Sequence, residues 1–196
     1  PIVLDLLEES SFTELEALLE SEKPNVRLLV NAAGFGKFGA YQKVPVEDDC
    51  RMIDLNCKAL LLMTRLCVPY MQPGSHILEL DSLSAFQPVP YITTYAATKA
   101  FVLSYSRSMN RELKAKGIRV MAMGGATEAS IWSNFHETGP DDARWASVPY
   151  GRPLANQAFA VLDDRLQPRP DWVAGDLYIS GDGLALGYWN DPEKTA

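Results

Sequence analysis

Tyr95 and Lys99 stand four positions apart in a segment whose apolar pattern predicts a helix over about Thr94 to Ala115. Residues at this spacing lie one turn from each other on the same face of a helix. A lysine ammonium beside a phenol favours the tyrosinate and lowers the pKa of the phenol, which can then exchange a proton with an alcohol or a carbonyl. Taken alone, the pair favours a simpler interpretation, a partly buried tyrosine beside a solvated lysine.

Three more polar residues fall near the pair if the surrounding segments fold as predicted. Ser82 follows a predicted strand and precedes Tyr95 by thirteen positions, close enough in a βα unit for its hydroxyl to meet the phenol. The segment Asn31-Ala-Ala-Gly34 follows the preceding strand, at the edge where ligands bind in open parallel sheets. Asn56 lies within the long helix predicted between these two strands.

The elements that would position these residues alternate between strand and helix over residues 1–123. The predicted strands are Ile2–Leu6, Val26–Val30, Ser75–Leu80 and Ile118–Met123, and the predicted helices are a segment from the capping box Ser11-Phe-Thr-Glu14 to Pro24, Val46–Met71 and Thr94–Ala115. Such alternation predicts right-handed βαβ units and a parallel sheet. We expect the first strand to pair beside Val26–Val30, because an unpaired strand leaves its backbone groups without partners.

Together, these features of residues 1–123 resemble the short-chain dehydrogenase/reductase family. The resemblance implies hydride transfer between NAD(H) or NADP(H) and a small-molecule substrate. Tyr95 would donate or accept the proton, and Lys99 would lower its pKa and hold the nicotinamide ribose. Ser82 would polarise the substrate carbonyl, and Asn56 would anchor a water relay to Lys99.

The same resemblance assigns three residues to the cofactor. Asp5 would contact the adenine, while Asn31 and Gly34 would lie beside the nucleotide, with Ala32 departing from the family's Asn-Asn-Ala-Gly element. The family's glycine-rich phosphate loop belongs upstream of the Asp5 strand, and this sequence starts too late to contain it. The choice between NAD and NADP therefore stays open.

A second glycine pattern, Gly34-Phe-Gly36-Lys-Phe-Gly39, follows a predicted strand and satisfies G-x-G-x-x-G. A dinucleotide-binding fingerprint needs a helix that opens within the glycines, so that the helix N-terminus faces the pyrophosphate. Tyr41 to Pro45 intervene before the next predicted helix. We therefore interpret the segment as a flexible loop on the substrate side.

After Met123 the pattern changes to short strands separated by prolines and glycines, which predicts antiparallel hairpins. The predicted strands are Ala158–Leu162, Trp172–Ala174 and Asp176–Ile179. No low-complexity linker separates this part from the first. The last strand of the α/β part must therefore run directly into it.

Residues 124–196 resemble consecutive core motifs of peptide-synthetase adenylation domains. The motifs are Gly124-Gly-Ala-Thr-Glu-Ala-Ser130, Tyr150-Gly-Arg-Pro153, Gly175-Asp-Leu-Tyr-Ile-Ser-Gly181 and Gly183-Leu-Ala-Leu-Gly-Tyr188. The resemblance implies that Gly125 and Thr127 approach the α-phosphate of ATP and that Glu128 binds Mg²⁺. The family's phosphate loop, ribose-binding aspartate and C-terminal lysine subdomain are missing, so we expect no complete adenylation.

The amino-acid composition restricts the classes of partner that the protein can bind. The net charge is −7 and no basic cluster occurs, which argues against nucleic acid. The longest apolar stretch, Ala59 to Met71, contains Arg65 and is too short to span a membrane. An odd set of cysteines (Cys50, Cys57 and Cys67) suits reduced thiols, and we expect a cytoplasmic protein.

The sequence thus predicts an α/β fold, with a parallel Rossmann-like βαβ sheet over residues 1–123 joined to a small, mainly antiparallel β subdomain over residues 124–196. It indicates an oxidoreductase-type core fused to part of an adenylate-forming domain and incomplete as an isolated chain. The alternatives are an amino-acid-activating fragment that binds ATP, an engineered chimera with no activity, and a natural fragment completed by another chain. The oligomeric state stays open.

Overall fold

A computed structural model of the chain describes residues 1–86, 88–124, 134–136 and 151–187. The described residues divide into two compact units. The first extends to Ala122, and the second contains Met123, Gly124 and the described residues after them.

Helices and parallel strands alternate in the first unit, as the sequence predicts. The elements are α1 (Glu9–Glu22), β1 (Val26–Asn31), α2 (Val46–Ile53), α3 (Leu60–Cys67), β2 (Met71–Leu80), α4 (Thr93–Lys114) and β3 (Arg119–Gly124), whose last two residues belong to the second unit. β1 and β2 are parallel, with Leu28 opposite His76, and β2 lies between β1 and β3. The predicted α/β class with a parallel sheet is confirmed.

The core of this unit joins the sheet to the first and last helices of the unit, α1 and α4. Leu29, Ile77 and Val120 each come from a different strand, and they pack with Leu19 of α1 and Leu113 of α4. Close-packed apolar side chains from strands and helices hold the sheet edge in one arrangement. The predicted site residues Asn31 and Ser82 lie at the ends of β1 and β2, at this edge of the sheet.

The long helix predicted over Val46–Met71 is present but is not uniform. A π-helical segment, Asp54–Ala59, joins α2 to α3, and a 3-10 turn, Val68–Tyr70, follows α3. Because a π-turn holds more residues than an α-turn, it changes which side chains face inward after it. Asn56, one of the predicted site residues, lies within it.

The N-terminal predictions were wrong in two respects. Ile2–Leu6 forms no strand, and Val3 is 96% exposed, so that water rather than a neighbouring strand satisfies the backbone groups. α1 begins at Glu9, before the predicted capping box, and Ser11 is a buried residue inside the helix. The helix ends near Pro24 as predicted, with Lys23 in the left-handed conformation.

Antiparallel pairs make up the second unit. β4 (Asn134–His136) pairs with β5 (Arg152–Pro153), and β6 (Gln157–Leu162) pairs with β7 (Asp176–Gly181). The antiparallel prediction is confirmed, but the strand predicted over Trp172–Ala174 is absent. Trp172 has a positive φ of 68° in a turn, a conformation that no extended strand permits.

Across the described ranges, none of the helices is both long enough and apolar enough to cross a bilayer.

Candidate active site

Tyr95 lies in the first turn of α4, because that helix begins at Thr93. Ser82 follows the end of β2 by two residues, and its hydroxyl lies near enough to the Tyr95 phenol to lower the pKa of that group. Ser84 holds Ser82 from the other side, since its backbone N–H and its hydroxyl donate to Ser82 Oγ at 3.3 and 3.0 Å. A Cβ atom on Gly36 would lie 3.0 Å from Tyr95 Cδ2, so a glycine there gives the ring its space.

Lys99 lies one turn further along α4 and is only 8% exposed. Its ammonium donates to the Leu80 carbonyl oxygen at 2.7 Å and lies 5.6 Å from the centroid of the Tyr95 ring. Burial lowers the pKa of Lys99, and the carboxylates of Asp81 and Glu79 oppose that shift. The structure therefore brings Ser82, Tyr95 and Lys99 together at the end of β2.

The expected effect of Lys99 on the phenol is not what the structure shows. Burial raises the pKa of Tyr95 above its ordinary value, the hydrogen bond from Ser82 opposes this, and the Asp81 carboxylate raises it further. The lysine charge is directed at the Leu80 carbonyl instead. In these surroundings the phenol keeps its proton.

Both polar atoms of the Asn56 amide form hydrogen bonds within the protein. Its Oδ1 accepts from the Phe35 N–H at 3.0 Å, and its Nδ2 donates to the Phe35 carbonyl at 2.9 Å and to Thr98 Oγ1 at 3.1 Å. A Cβ atom on Gly34 would lie 2.9 Å from Asn56 Oδ1, so glycine is needed for this approach. Asn56 and Gly34 thus fix the loop after β1 beside Tyr95, whose carbonyl Thr98 binds at 2.7 Å.

Asn31 points to a buried carboxylate that the sequence analysis did not identify. Its Nδ2 donates to Glu79 Oε2 at 3.0 Å and to Thr64 Oγ1 at 2.9 Å, and the Thr64 hydroxyl lies 3.1 Å from Glu79 Oε1. Burial raises the pKa of Glu79 to about 7, against the hydrogen bonds from Asn31 and Thr64. The signal was available, because Glu79 shares the buried alternation of Ser75 and Ile77 along β2.

Asp81 is a second acid that the sequence analysis missed. It lies between Leu80 and Ser82, and burial raises its pKa to about 7 against the backbone hydrogen bond from Ser82 and the charges of Lys99 and Arg107. Its Oδ1 is enclosed and meets no hydrogen-bond donor within the described part of the chain. Its place next to Ser82 was the available sequence signal.

One other predicted residue, Asp5, is not brought to this site. Asp5 is exposed, and its carboxylate accepts from the Leu7 N–H at 3.0 Å in the turn before α1. Gly125, Thr127 and Glu128 lie outside the described residues. Within the described ranges, His, Cys, Asp and Glu side chains form no cluster able to hold a metal ion.

The described residues fit one end of a pyridine dinucleotide better than the other. Tyr95 lies against Gly36 in the loop after β1, and Lys99 lies beside the Tyr95 ring, so a nicotinamide ribose would find a phenol and a cation there. The glycine loop itself leads to α2, whose first turn carries Glu47, Asp48 and Asp49. Acidic residues in the first turn of a helix make its N-terminus less favourable for an anion.

The family model for short chain dehydrogenases matches residues 1–138, which is more than half of the chain. A solved 3-ketoacyl-(acyl-carrier-protein) reductase from Brucella melitensis, complexed with NADH, is similar over 62% of this chain and 53% of its own, with 30% identity and a TM-score of 0.54. The chain therefore belongs to the short-chain dehydrogenase family, whose fold is that of NAD(P)-binding oxidoreductases.

Curated relatives come from a second group, the synthetases of peptide natural products. The chain is 56% identical over 75 residues to an anguibactin system regulator of Vibrio anguillarum, covering 38% of this chain and 7% of that protein. It is 43% identical over 168 residues to a phenyloxazoline synthase of a Mycobacterium species, covering 83% of this chain and 14% of that protein. The chain thus spans a small fraction of these relatives, and a synthetase-related segment accompanies the dehydrogenase part.

Proposed function

We propose that Ser82, Tyr95 and Lys99 form the proton-transfer site of an NAD(P)H-dependent carbonyl reductase. One observation carries the proposal: the buried Lys99 ammonium is fixed to Leu80, the last residue of β2, and lies 5.6 Å from the centroid of the Tyr95 ring, whose phenol the Ser82 hydroxyl influences. The three groups are preorganised by β2 and α4 before any ligand binds. Preorganised donors at a developing oxyanion are among the largest contributions to catalysis.

The roles follow from the contacts. The cofactor, when bound, would supply hydride to the carbonyl carbon of the substrate. The Ser82 hydroxyl would donate to the carbonyl oxygen, and the Tyr95 phenol would give that oxygen its proton. The Lys99 charge would then stabilise the tyrosinate that remains until solvent reprotonates it. Asn56 would keep the loop after β1 in place, since its amide holds the backbone of Phe35.

We further propose that the described residues do not complete the cofactor site. The helix that follows the glycine loop in the sequence, α2, begins with acidic residues, so its N-terminus offers the pyrophosphate no cradle. Without a placed nicotinamide, the hydride donor is not within reach of the substrate, however well the phenol is held. We expect weak binding of pyridine nucleotides and little or no turnover by the chain on its own.

A fluorescence titration with NADH and with NADPH tests both statements. We expect no saturation in the micromolar range, which corresponds to binding weaker than about 8 kcal/mol. Saturable micromolar binding lost in Lys99→Ala but kept in Lys58→Ala, which removes an exposed lysine, would show that the cofactor site is complete. Oxidation of NADPH by a ketone, abolished in Tyr95→Phe and retained in Tyr105→Phe, would confirm the catalytic assignment.

The second candidate is a fragment of an amino-acid-activating domain, and the similarity to the peptide synthetase relatives favours it. Under this proposal Gly125 and Thr127 approach the phosphate of ATP and Glu128 binds Mg²⁺. Activation also needs a phosphate loop, a ribose anchor and a lysine to position ATP. We expect a pyrophosphate-exchange assay with all twenty amino acids to stay at background, and a signal lost in Glu128→Ala would contradict this.

We infer that the two resemblances meet near Met123–Gly124 in a fused or recombined chain, divided into residues 1–123 and 124–196. The change in secondary structure at that point supports this division, because helices and a parallel strand pair precede it and antiparallel pairs follow it. A small-molecule substrate, a cytoplasmic location and the absence of nucleic-acid and membrane partners remain predictions.

A further inference from the structure

A buried cluster of polar side chains joins three elements of the first unit. Asn31 ends β1 and lies opposite Glu79 of β2 in the parallel register, and Thr64 of α3 contacts both side chains. All three residues are buried, and Glu79 is 0% exposed. The proposed reductase mechanism assigns no role to any of them.

Thr64 makes three polar contacts with one hydroxyl group. Its Oγ1 lies 2.8 Å from the Leu60 carbonyl oxygen, 3.1 Å from Glu79 Oε1 and 2.9 Å from Asn31 Nδ2. A threonine hydroxyl carries one hydrogen and two lone pairs, so it donates once and accepts twice. Only one of the three contacts can therefore use the hydrogen of Thr64.

The chemistry of the partners decides which contact that is. The Leu60 carbonyl has no hydrogen, so Thr64 must donate to it, as helical threonines often do to the fourth residue before them. The Asn31 amide nitrogen donates one hydrogen to Thr64 and the other to Glu79 Oε2, at 3.0 Å. The contact between Thr64 and Glu79 Oε1 then has a hydrogen only if Glu79 carries it.

We propose that Glu79 is a protonated acid in the folded protein and that its hydrogen bond to Thr64 is a pH-sensitive connection between α3 and the sheet. Without the proton, one hydrogen must serve two contacts of Thr64, so two acceptor oxygens face each other inside the protein. An enclosed negative charge is created at the same time. Both effects favour opening of the contact between α3 and the strands.

The charged and titratable groups around Glu79 agree with a neutral acid. From α4, Lys99 attracts the ionised form, but its ammonium is hydrogen bonded to a main-chain carbonyl and also attracted by Asp81. Tyr105 of α4 faces Glu79 as well, and Arg65 of α3 acts on that phenol. Burial outweighs these groups and raises the pKa of Glu79 to about 7.

Glu79→Gln reproduces the protonated state without a titratable group. Its amide N–H can donate to Thr64, and its oxygen can accept from Asn31. Asp81 is a second enclosed carboxyl, so a signal belongs to Glu79 only if this variant removes it. Glu112→Gln, at an exposed position of α4, is the matched control.

Infrared spectroscopy of the full chain, without cofactor or substrate, detects the proton directly. At about pH 6 an ordinary glutamate, whose pKa is 4.5, is ionised. A protonated carboxyl then gives a C=O stretching band that carboxylates lack. We expect Glu79→Gln to remove the intensity of one such group and Glu112→Gln to remove none. Equal acid bands in the unaltered chain and in Glu79→Gln would overturn the proposal.

Hydrogen exchange measures the consequence for α3. An opened contact releases the proton that the closed contact keeps, so opening becomes more favourable as the pH rises toward 7. We expect the protection factors of the α3 amides to fall about tenfold or more between pH 5 and pH 7 and to level off above. Glu79→Gln should abolish this fall, and Glu112→Gln should retain it. An equal fall in the unaltered chain and in Glu79→Gln would refute a connection that depends on Glu79.

If Glu79→Gln does not fold, glutamate labelled with ¹³C at its side-chain carboxyl gives the decision in the unaltered chain. The label moves the band of a protonated glutamate and leaves that of Asp81 in place. A label-sensitive acid band at about pH 6 supports the proposal, and its absence overturns it. Neither measurement needs turnover, so this inference and the proposed reductase function are tested separately.

Discussion

Glu79 is fully buried in β2, with its carboxylate held by the Asn31 amide and the Thr64 hydroxyl. Burial raises its pKa from 4.5 to about 7. Between these values the folded state keeps a proton that the unfolded state has released. The free energy of unfolding must therefore fall as the pH rises through this window, and the slope ends above about pH 7.

We expect Glu79→Gln to stabilise the protein at pH 8 by roughly 1–3 kcal/mol and to change little at pH 4. The amide has the shape of a protonated carboxyl, so it can accept from Asn31 and donate to Thr64 without a buried charge. Urea unfolding at the two pH values measures the difference.

Glu112→Gln is the control for this prediction, because it removes a carboxyl from an exposed position of α4. It should leave the free energy of unfolding nearly unchanged at both pH values. An equal effect of Glu79→Gln at pH 4 and pH 8 would mean that hydrogen bonding, not ionisation, decides the stability at this position.

At the residue scale, the spacing of Ser82, Tyr95 and Lys99 predicts which groups meet. It does not predict how burial and the neighbouring charges change the pKa values of these groups. The direction of the Tyr95 shift depends on burial and on Asp81, and neither the enclosure of a phenol nor the absence of a donor to Asp81 Oδ1 in the described ranges can be read from spacing. Both depend on the three-dimensional packing, which spacing in the sequence does not specify.

At the scale of elements, the helical run from α2 to α3 places four buried residues at intervals of four: Met52, Asn56, Leu60 and Thr64. In an ideal α-helix each step of four drifts by about 40°, which would carry Thr64 about 120° away from the face of Met52. The π-helical segment compensates for this rotation, because each of its turns contains more residues than an α-helical turn. Asn56 can therefore face Phe35 while Thr64 faces Glu79.

Inserting one alanine after Lys58 should disrupt this alignment, because the added residue turns every later residue by roughly a further 100°. We expect Leu60 and Thr64 to rotate away from the core, with a loss of about 3 kcal/mol or more in the free energy of unfolding. Denaturant unfolding of the insertion variant provides the measurement.

Lys58→Ala serves as the matched control. Its ammonium forms an exposed ion pair with Glu9 at 2.9 Å, and such surface pairs contribute little to stability. An insertion variant as stable as Lys58→Ala would show that the helical phase does not matter here. The sequence contained the intervals of four, but intervals of three and four are both helical, so the π-turn could not be distinguished before the burial was known.

At the scale of the whole molecule, the second unit leaves much of its apolar surface in contact with solvent. Val161 on β6 and Leu177 and Tyr178 on β7 are each about two-fifths exposed. A two-stranded hairpin with partly exposed apolar side chains is marginally stable in water. Folding of this part must therefore depend on more than its own strands.

We expect residues 124–196, expressed alone, to lack a cooperative unfolding transition. The apolar set is too small to offset the entropy of ordering a segment of this length. Circular dichroism during heating tests this, with the complete chain as the control. A sharp transition of the isolated segment at a temperature like that of the complete chain would contradict the expectation.

Local patterns predicted the strands β1, β2, β6 and β7 and the helix α4, but not the short strands β4 and β5 of the second unit. The errors lie where local pattern gives no information on pairing. Ile2–Leu6 has strand-like composition but no partner strand, and Trp172 follows two prolines into a turn. Whether a short apolar run becomes a strand depends on a neighbour with free backbone groups, which is a property of the assembled fold.

The bond that fixes Lys99 ends on a main-chain oxygen, that of Leu80. All twenty amino acids provide this atom, so a point mutation at position 80 cannot delete the acceptor. Among natural variants, positions 80 and 99 therefore have no reason to change together, and a method that infers contacts from correlated substitutions would not detect this one. Only an insertion or deletion that alters the register of β2 would move the acceptor away from the lysine.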